Sequence, residues 1–382
     1  MKKLTFLILC LEGAILSFNV AASAALIPSV AAEFSVSEFV AGRIVWLYMI
    51  PYGLSALFYG PLVRAFDAKK IELLCLTFFS VANLAAAFSG NILTLFTARF
   101  FMGVFGASVI PLALILIAQA TAREKRGRMV GAFFASTFVA SLAGLFLSGI
   151  LNWRLIFLLP AAAGFLLLPL MYFCLPCFTP ESKKFAINYI EPFKNKAILY
   201  IFTYIFIISL LYHGLQQWFS VYFSTKYGLG QFIISMLITL TSLSGIFGET
   251  IGGLFSDKIG RIKTVNLGIL LMIVSVALLL FKTPVFILSL TMIIWGLGWT
   301  FNHAGLSTIL TDLPKDFLHE AASLNSSVRF VAGGLGVSLA GFIMQKNFNL
   351  GFIIFAVSLL ILLCFGRQLL CKEPAWSRLL RK

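Results

Sequence analysis

The sequence predicts an all-α integral membrane protein of twelve transmembrane helices in two pseudo-symmetric six-helix bundles. Three observations predict it. The 382 residues are 60% hydrophobic and 11% charged, with a mean hydropathy of +1.00, where a soluble chain carries about 25% charged residues. Apolar segments of about 20 residues, enough to cross a bilayer, recur twelve times. Cations segregate to alternate connections: with the N-terminus in the cytoplasm, inner segments carry 22 and outer segments five, and Arg99 and Arg329 fall inside helices. That asymmetry is what positive-inside sorting predicts, and it accounts for the net charge of +15 without nucleic acid.

In chain order the first six spans are expected near 4–29, 40–62, 71–90, 92–118, 128–151 and 155–175. Lys2, Lys3 and Ala22-Ser-Ala24 give the first span the look of a secretory signal. Glu12 interrupts its apolar core, and removing it would leave an odd helix count, so it reads as a spanning helix. The polar stretch 176–197, with Pro176, Pro180, Pro192 and four lysines, reads as a cytoplasmic linker between bundles 1–175 and 198–382. The last six spans are expected near 198–222, 230–253, 264–281, 284–311, 323–345 and 349–370, followed by a short cytoplasmic tail. The halves repeat with an offset near 193: Gly60 matches Gly253, Lys70 matches Lys263 and Gly103 matches Gly296, while Gly144 and Gly149 match Gly336 and Gly341 within a residue. Parallel repeats of this kind frame a midplane site. The six cysteines form no disulfide framework, and Cys174 and Cys177 lack the second pair a metal site needs.

Gly253-Leu-Phe-Ser-Asp257-Lys258-Ile-Gly260-Arg261-Ile-Lys263 lies between two spans. Here Gly253 is expected to let a helix end pack closely and Gly260 to permit a tight turn. The stretch resembles the loop between the second and third helices of each half of major facilitator superfamily transporters. Arg99-Phe-Phe-Met-Gly103-Val-Phe-Gly106, Arg126-Gly127 and Asn152-Trp-Arg154 resemble motifs of that superfamily, especially its drug/proton antiporter branch. The resemblance implies secondary active transport of a small organic solute through a cavity lined by helices 1, 4, 7 and 10. It implies proton-coupled efflux first, import of a polar or anionic metabolite second, and a non-transporting receptor third. The expected setting is the cytoplasmic membrane, with both termini inside, lipid and protons as partners, a monomeric state and no cofactor. The chain also departs from the family pattern. Arg64 stands where the first-half loop has aspartate, Asp67 where it has glycine, and Leu145 where the fifth helix has proline. Asn19, nine residues before Pro28, stands where some antiporters carry a protonatable aspartate.

Charged groups at membrane depth cost about 2.5–3.5 kcal/mol on insertion scales, so they face a cavity or a partner. Glu12, Asn19 and Ser23 share one face of the first helix, by steps of seven and four. Glu12 is a candidate proton acceptor or an interfacial carboxylate, and Asn19 a hydrogen-bonding contact for substrate. Arg99, on a face with Gly103 and Gly106, holds a substrate anion, tunes a carboxylate or bonds backbone carbonyls. Ser209, His213, Gln217 and Ser220 form a polar stripe with Gln216 beside it, and the tenth helix adds Trp295, Trp299, Asn302 and His303. Amides, imidazoles and indoles together suit an amphipathic solute, although each histidine can equally serve as a bundle hydrogen bond. Glu249 reads as a gating or structural group, and Arg329 as part of the same cytoplasmic gate as Asp257, Lys258 and Arg261. No nucleotide-cradling loop and no clustered enzymatic constellation is visible.

The family loop packs against the start of the eleventh helix, where this chain carries Asp312, Asp316 and Glu320. Arg64 is thus a candidate charge-swapped latch, or simply an inner-side cation. A latch predicts that Arg64→Glu impairs transport cycling and that a reversed acid restores it, measured as substrate uptake. Failure of every pairing discards the latch.

Overall fold

The computed structural model describes residues 3–121, 123–177, 194–311 and 318–370. Among them twelve helices are long and apolar enough to cross a bilayer. Spans 1 to 6 are Lys3–Ala22, Glu38–Val63, Ala68–Ala87, Ile92–Ile117, Arg128–Ser148 and Trp153–Cys174. Spans 7 to 12 are Lys196–Tyr227, Gln231–Ile259, Arg261–Leu279, Val285–Leu310, Ser323–Met344 and Phe348–Leu370. The first span ends earlier than expected, because the chain turns over Ser23–Leu26 before a short helix, Ile27–Phe34, that carries Pro28 in its first turn.

Polar residues set the ends of these helices. Asn91 and Asn152 accept from the amides of Thr94 and Arg154, each at 2.9 Å. Asp67 accepts from Lys69 at 3.1 Å, so the aspartate that replaces a family glycine caps span 3. The loop between spans 8 and 9 is Gly260 alone, at φ 95°, a conformation that favours glycine. Close packing expected of Gly253 is not found among the described residues: a Cβ there would meet open space, with nothing within 4 Å. The side chains of Arg64 and Glu320, and Asp312 and Asp316 altogether, lie outside what is described, as does most of the 176–197 stretch.

The chain forms two compact units. One is Met1–Ile187 with Gln217–Met236, the other Asn188–Gln216 with Leu237–Lys382. Sequence places the division at 176–197. Compactness instead assigns Gln217–Met236 to the first unit, and hydrogen bonds give the reason. Ser220 Oγ donates to the Ala24 carbonyl, and Gln231 Nε2 donates to the Ala25 carbonyl at 2.9 Å and to that of Ser148 at 3.2 Å.

Each unit repeats the same pairings. Spans 1 and 5, 3 and 6, and 1 and 6 pack in the first unit; spans 7 and 11, 9 and 12, and 7 and 12 pack in the second. The repeated glycines mark the closest seams. A Cβ on Gly103 would lie 2.3 Å from the Tyr48 carbonyl oxygen, and one on Gly296 2.2 Å from that of Thr241. Likewise Gly144 meets the Phe18 carbonyl and Gly336 that of Leu210, at 2.2 and 2.1 Å. Any larger residue must push two backbones apart. Gly144→Ala and Gly336→Ala are each expected to destabilise the protein by about 1–3 kcal/mol, seen as a lower unfolding temperature in detergent. Gly131→Ala, with nothing within 4 Å, is the control and is expected to cause no loss.

Candidate functional site

In the first unit, spans 1, 2, 3 and 4 bring buried polar groups together. Arg99 is 1% exposed. Its Nε donates to the Ile44 carbonyl at 2.9 Å and its Nη1 to Asn19 Oδ1 at 2.7 Å. The guanidinium lies 4.5 Å from the Tyr48 ring centre, within cation–π range. Asn19 Nδ2 in turn donates to Asn83 Oδ1 at 3.1 Å. Arg99 and Asn19 are therefore brought together, and both carry internal bonds.

Below this network lie two carboxyl groups. Glu12 is 1% exposed, and Glu72, on span 3, is fully buried. The two lie in electrostatic range of each other and of Cys75. None of their four oxygens has a hydrogen-bond partner among the described residues. Sequence reasoning assigned no role to Glu72, Asn83 or Tyr48. A signal was present for two of them. Glu72, Ser80 and Asn83 follow steps of eight and three, one buried face of an otherwise apolar helix. Glu72 directly follows Lys69, Lys70 and Ile71, and so reads as part of a charged loop.

The second unit carries an aromatic and charged cluster. Trp299 stacks on Tyr212, with ring centres 3.8 Å apart and planes 11° from parallel. Trp295 is nearly parallel to Tyr212 as well, with ring centres 5.3 Å apart. Helical spacing explains this grouping, since residues 295, 299 and 303 project from one face of span 10. His213 packs edge-on to Trp299 at 5.6 Å. His303 Nδ1 comes within 2.6 Å of Glu249 Oε1, a close contact that is poorly aligned as a hydrogen bond. Arg329 lies 5.6 Å from the Trp299 ring centre, so Glu249 and Arg329, expected at a gate, lie with His213, Trp299 and His303.

Other expected contacts separate from this cluster. The Trp295 indole donates to Gln216 Oε1, whose Nε2 donates to Thr241 at 3.2 Å. Asn302 is fully buried and donates to Tyr204 Oη at 3.1 Å. Gln217 sits at the break after Gln216, in the segment that joins the first unit. Asp257 and Lys258 are exposed at the end of span 8. An apolar groove of about 460 Å³ between spans 1, 5 and 6, lined by Leu11, Phe18 and Leu166 among others, lies apart from both polar clusters. It suits hydrocarbon better than a polar solute.

The internal role of Arg99 is testable. Arg99→Lys cannot reproduce bonds to both Ile44 and Asn19. It is expected to destabilise the protein by about 1.5–3 kcal/mol, read as a lower unfolding temperature in substrate-free micelles. An unchanged temperature contradicts the structural role.

Comparison with known proteins agrees with this architecture. The Major Facilitator Superfamily model matches residues 9–337 and 234–375. The chain is 24% identical over 341 residues to the uncharacterized MFS-type transporter YceJ of Bacillus subtilis, covering 85% of each chain. It is 24% identical over 334 residues to the purine ribonucleoside efflux pump NepI of Salmonella paratyphi B, covering 85% of this chain and 83% of that one. Among solved structures, a bacterial homologue of the human lysosomal transporter Spinster superposes with a TM-score of 0.78 at 14% identity, over 95% and 96% of the two chains. The nucleoside transporter NupG superposes with a TM-score of 0.73 at 15% identity, over 97% and 100%. The helical fold, the repeated pairings and a family match along most of the chain lead to one conclusion: this multi-pass membrane protein belongs to the Major Facilitator Superfamily of transporters.

Proposed function

We propose that the chain is a secondary active transporter that exports a small organic solute, a drug or metabolite, across the cytoplasmic membrane in exchange for protons. Its halves, 1–175 and 198–382, alternate access about the 176–197 linker, and both termini face the cytoplasm. The observation that carries the coupling is the Glu12–Glu72 pair, with four buried and unpartnered oxygens. A buried carboxylate must take up a proton or meet a cation. Two of them in electrostatic range cannot both stay ionised without such compensation. A proton that binds when the pair meets one compartment and leaves when it meets the other supplies the drive.

Asn19 and Arg99 then hold the elements that carry the pair, while the aromatic cluster of the second unit receives the solute. The end of span 8 and the start of span 9, with Gly253, Asp257, Lys258, Gly260 and Arg261, control the cytoplasmic opening. Similarity to a purine ribonucleoside efflux pump favours export and makes heteroaromatic solutes the first to try.

The test uses proteoliposomes loaded with purine nucleosides and then with other aromatic metabolites. An imposed pH gradient is expected to drive solute against its concentration gradient. Glu12→Gln and Glu72→Gln are each expected to abolish that drive while solute exchange at equal pH continues. Undiminished pH-driven accumulation in both variants rejects the pair as the coupling site.

A further inference from the structure

Among the described residues of the second unit, Arg329 has the least satisfied buried charge. It is 8% exposed, and its Nε donates to Asn325 Oδ1 at 2.8 Å, one helical turn away. Both terminal nitrogens, Nη1 and Nη2, are buried without a hydrogen-bond partner among the described residues. These two nitrogens carry four of the five guanidinium donors. Among the described residues, the carboxylate within electrostatic reach is Glu249, and its Oε1 lies against His303 at 2.6 Å. The buried Arg99 differs: besides the Nε bond to the Ile44 carbonyl it spends a terminal nitrogen, Nη1, on Asn19 Oδ1.

The unspent side of a guanidinium matches one kind of ligand well, a planar oxyanion held by two parallel bonds. Beside it stands the Trp299 ring, 5.6 Å away and itself stacked on Tyr212 with ring centres 3.8 Å apart. Flat apolar walls and a fixed cation therefore adjoin in one cluster. We propose that the second unit selects aromatic organic anions, with a carboxylate or phosphate on Nη1 and Nη2 of Arg329 and the ring against the Trp299–Tyr212 pair. By engaging Glu249, His303 keeps the internal carboxylate off the guanidinium and leaves it for the cargo. This inference rests on the transport reading above and narrows its solute to one charge class.

The test is equilibrium binding to purified full-length protein in detergent at neutral pH, followed by tryptophan fluorescence. Four probes are used: indole-3-acetate, its neutral amide, guanosine monophosphate and guanosine. The anion of one or both pairs is expected to bind at least tenfold more tightly than its neutral partner, and the pair that shows it identifies carboxylate or phosphate. Arg329→Gln is expected to remove the difference by weakening the anion and sparing the neutral probe. Arg329→Lys, which keeps the charge and loses the fork, is expected to fall between. Equal binding of anion and neutral partner by the wild type overturns the inference without any variant, as does the absence of binding by all four. Equal weakening of both members of a pair by Arg329→Gln overturns it as well. Binding needs no gradient, so an anion preference without pH-driven transport faults the coupling reading alone, and coupled transport of neutral solutes faults this inference alone.

Discussion

A polar group inside a bilayer has no water to turn to, so it finds a partner within the chain or stands open to one from outside. That constraint sorts the buried residues of this transporter into two sets. Asn19, Asn83, Arg99 and Gln216 make hydrogen bonds across helices. Glu12, Glu72, His213 and Arg329 have buried atoms that bond nothing among the described residues. The first set holds helices in register. The second set is where proton and solute are assigned, and the division follows from bond inventory rather than from residue type. Arg99 and Arg329 show this best, being the same side chain in opposite situations.

Between those polar anchors the helices are held by close approach. Without a hydrophobic drive between surfaces in lipid, packing and small residues bring backbones together. The seams of Gly103 on Tyr48 and Gly144 on Phe18 do this in the first unit, and Gly296 on Thr241 and Gly336 on Leu210 repeat it in the second. Further bracing comes from the start of span 6. Arg154 bonds Glu33 at 2.6 Å and the carbonyls of Ala87 and Ser89 at 2.8 and 3.0 Å, tying three segments at one point.

Much of this frame was legible in the sequence, because hydropathy, charge sidedness and glycine spacing are local or periodic signals. Twelve spans occur in the expected order, with the ends of spans 1, 7 and 8 displaced by five to seven residues, and the offset near 193 is realised as matching contacts. The site was legible only in part. Trp299 and His303 share a face of span 10 by helical spacing, but that His213 of span 7 packs on Trp299 is a tertiary contact. Whether an arginine is spent or unspent depends on which carbonyls and amides come within 3 Å of it, and that is a tertiary fact. Glu72 went unread because it directly follows a pair of lysines and an isoleucine, and Gly253 was misread because a loop motif does not say what a glycine packs against. Asp67 shows the opposite case. A departure from the family pattern proves to be a sound helix cap.

The twin glycine seams have a consequence for how such a carrier changes. The contacts they make are with main-chain oxygens, which every amino acid possesses, so the seam dictates spacing and is indifferent to identity. Positions equivalent under the repeat have diverged accordingly: Arg99 corresponds to Met292, and Met102 to Trp295, all of them buried. A lineage that inherits this chassis can exchange the lining on one side, charge for thioether or thioether for indole, and leave the joinery of the other untouched.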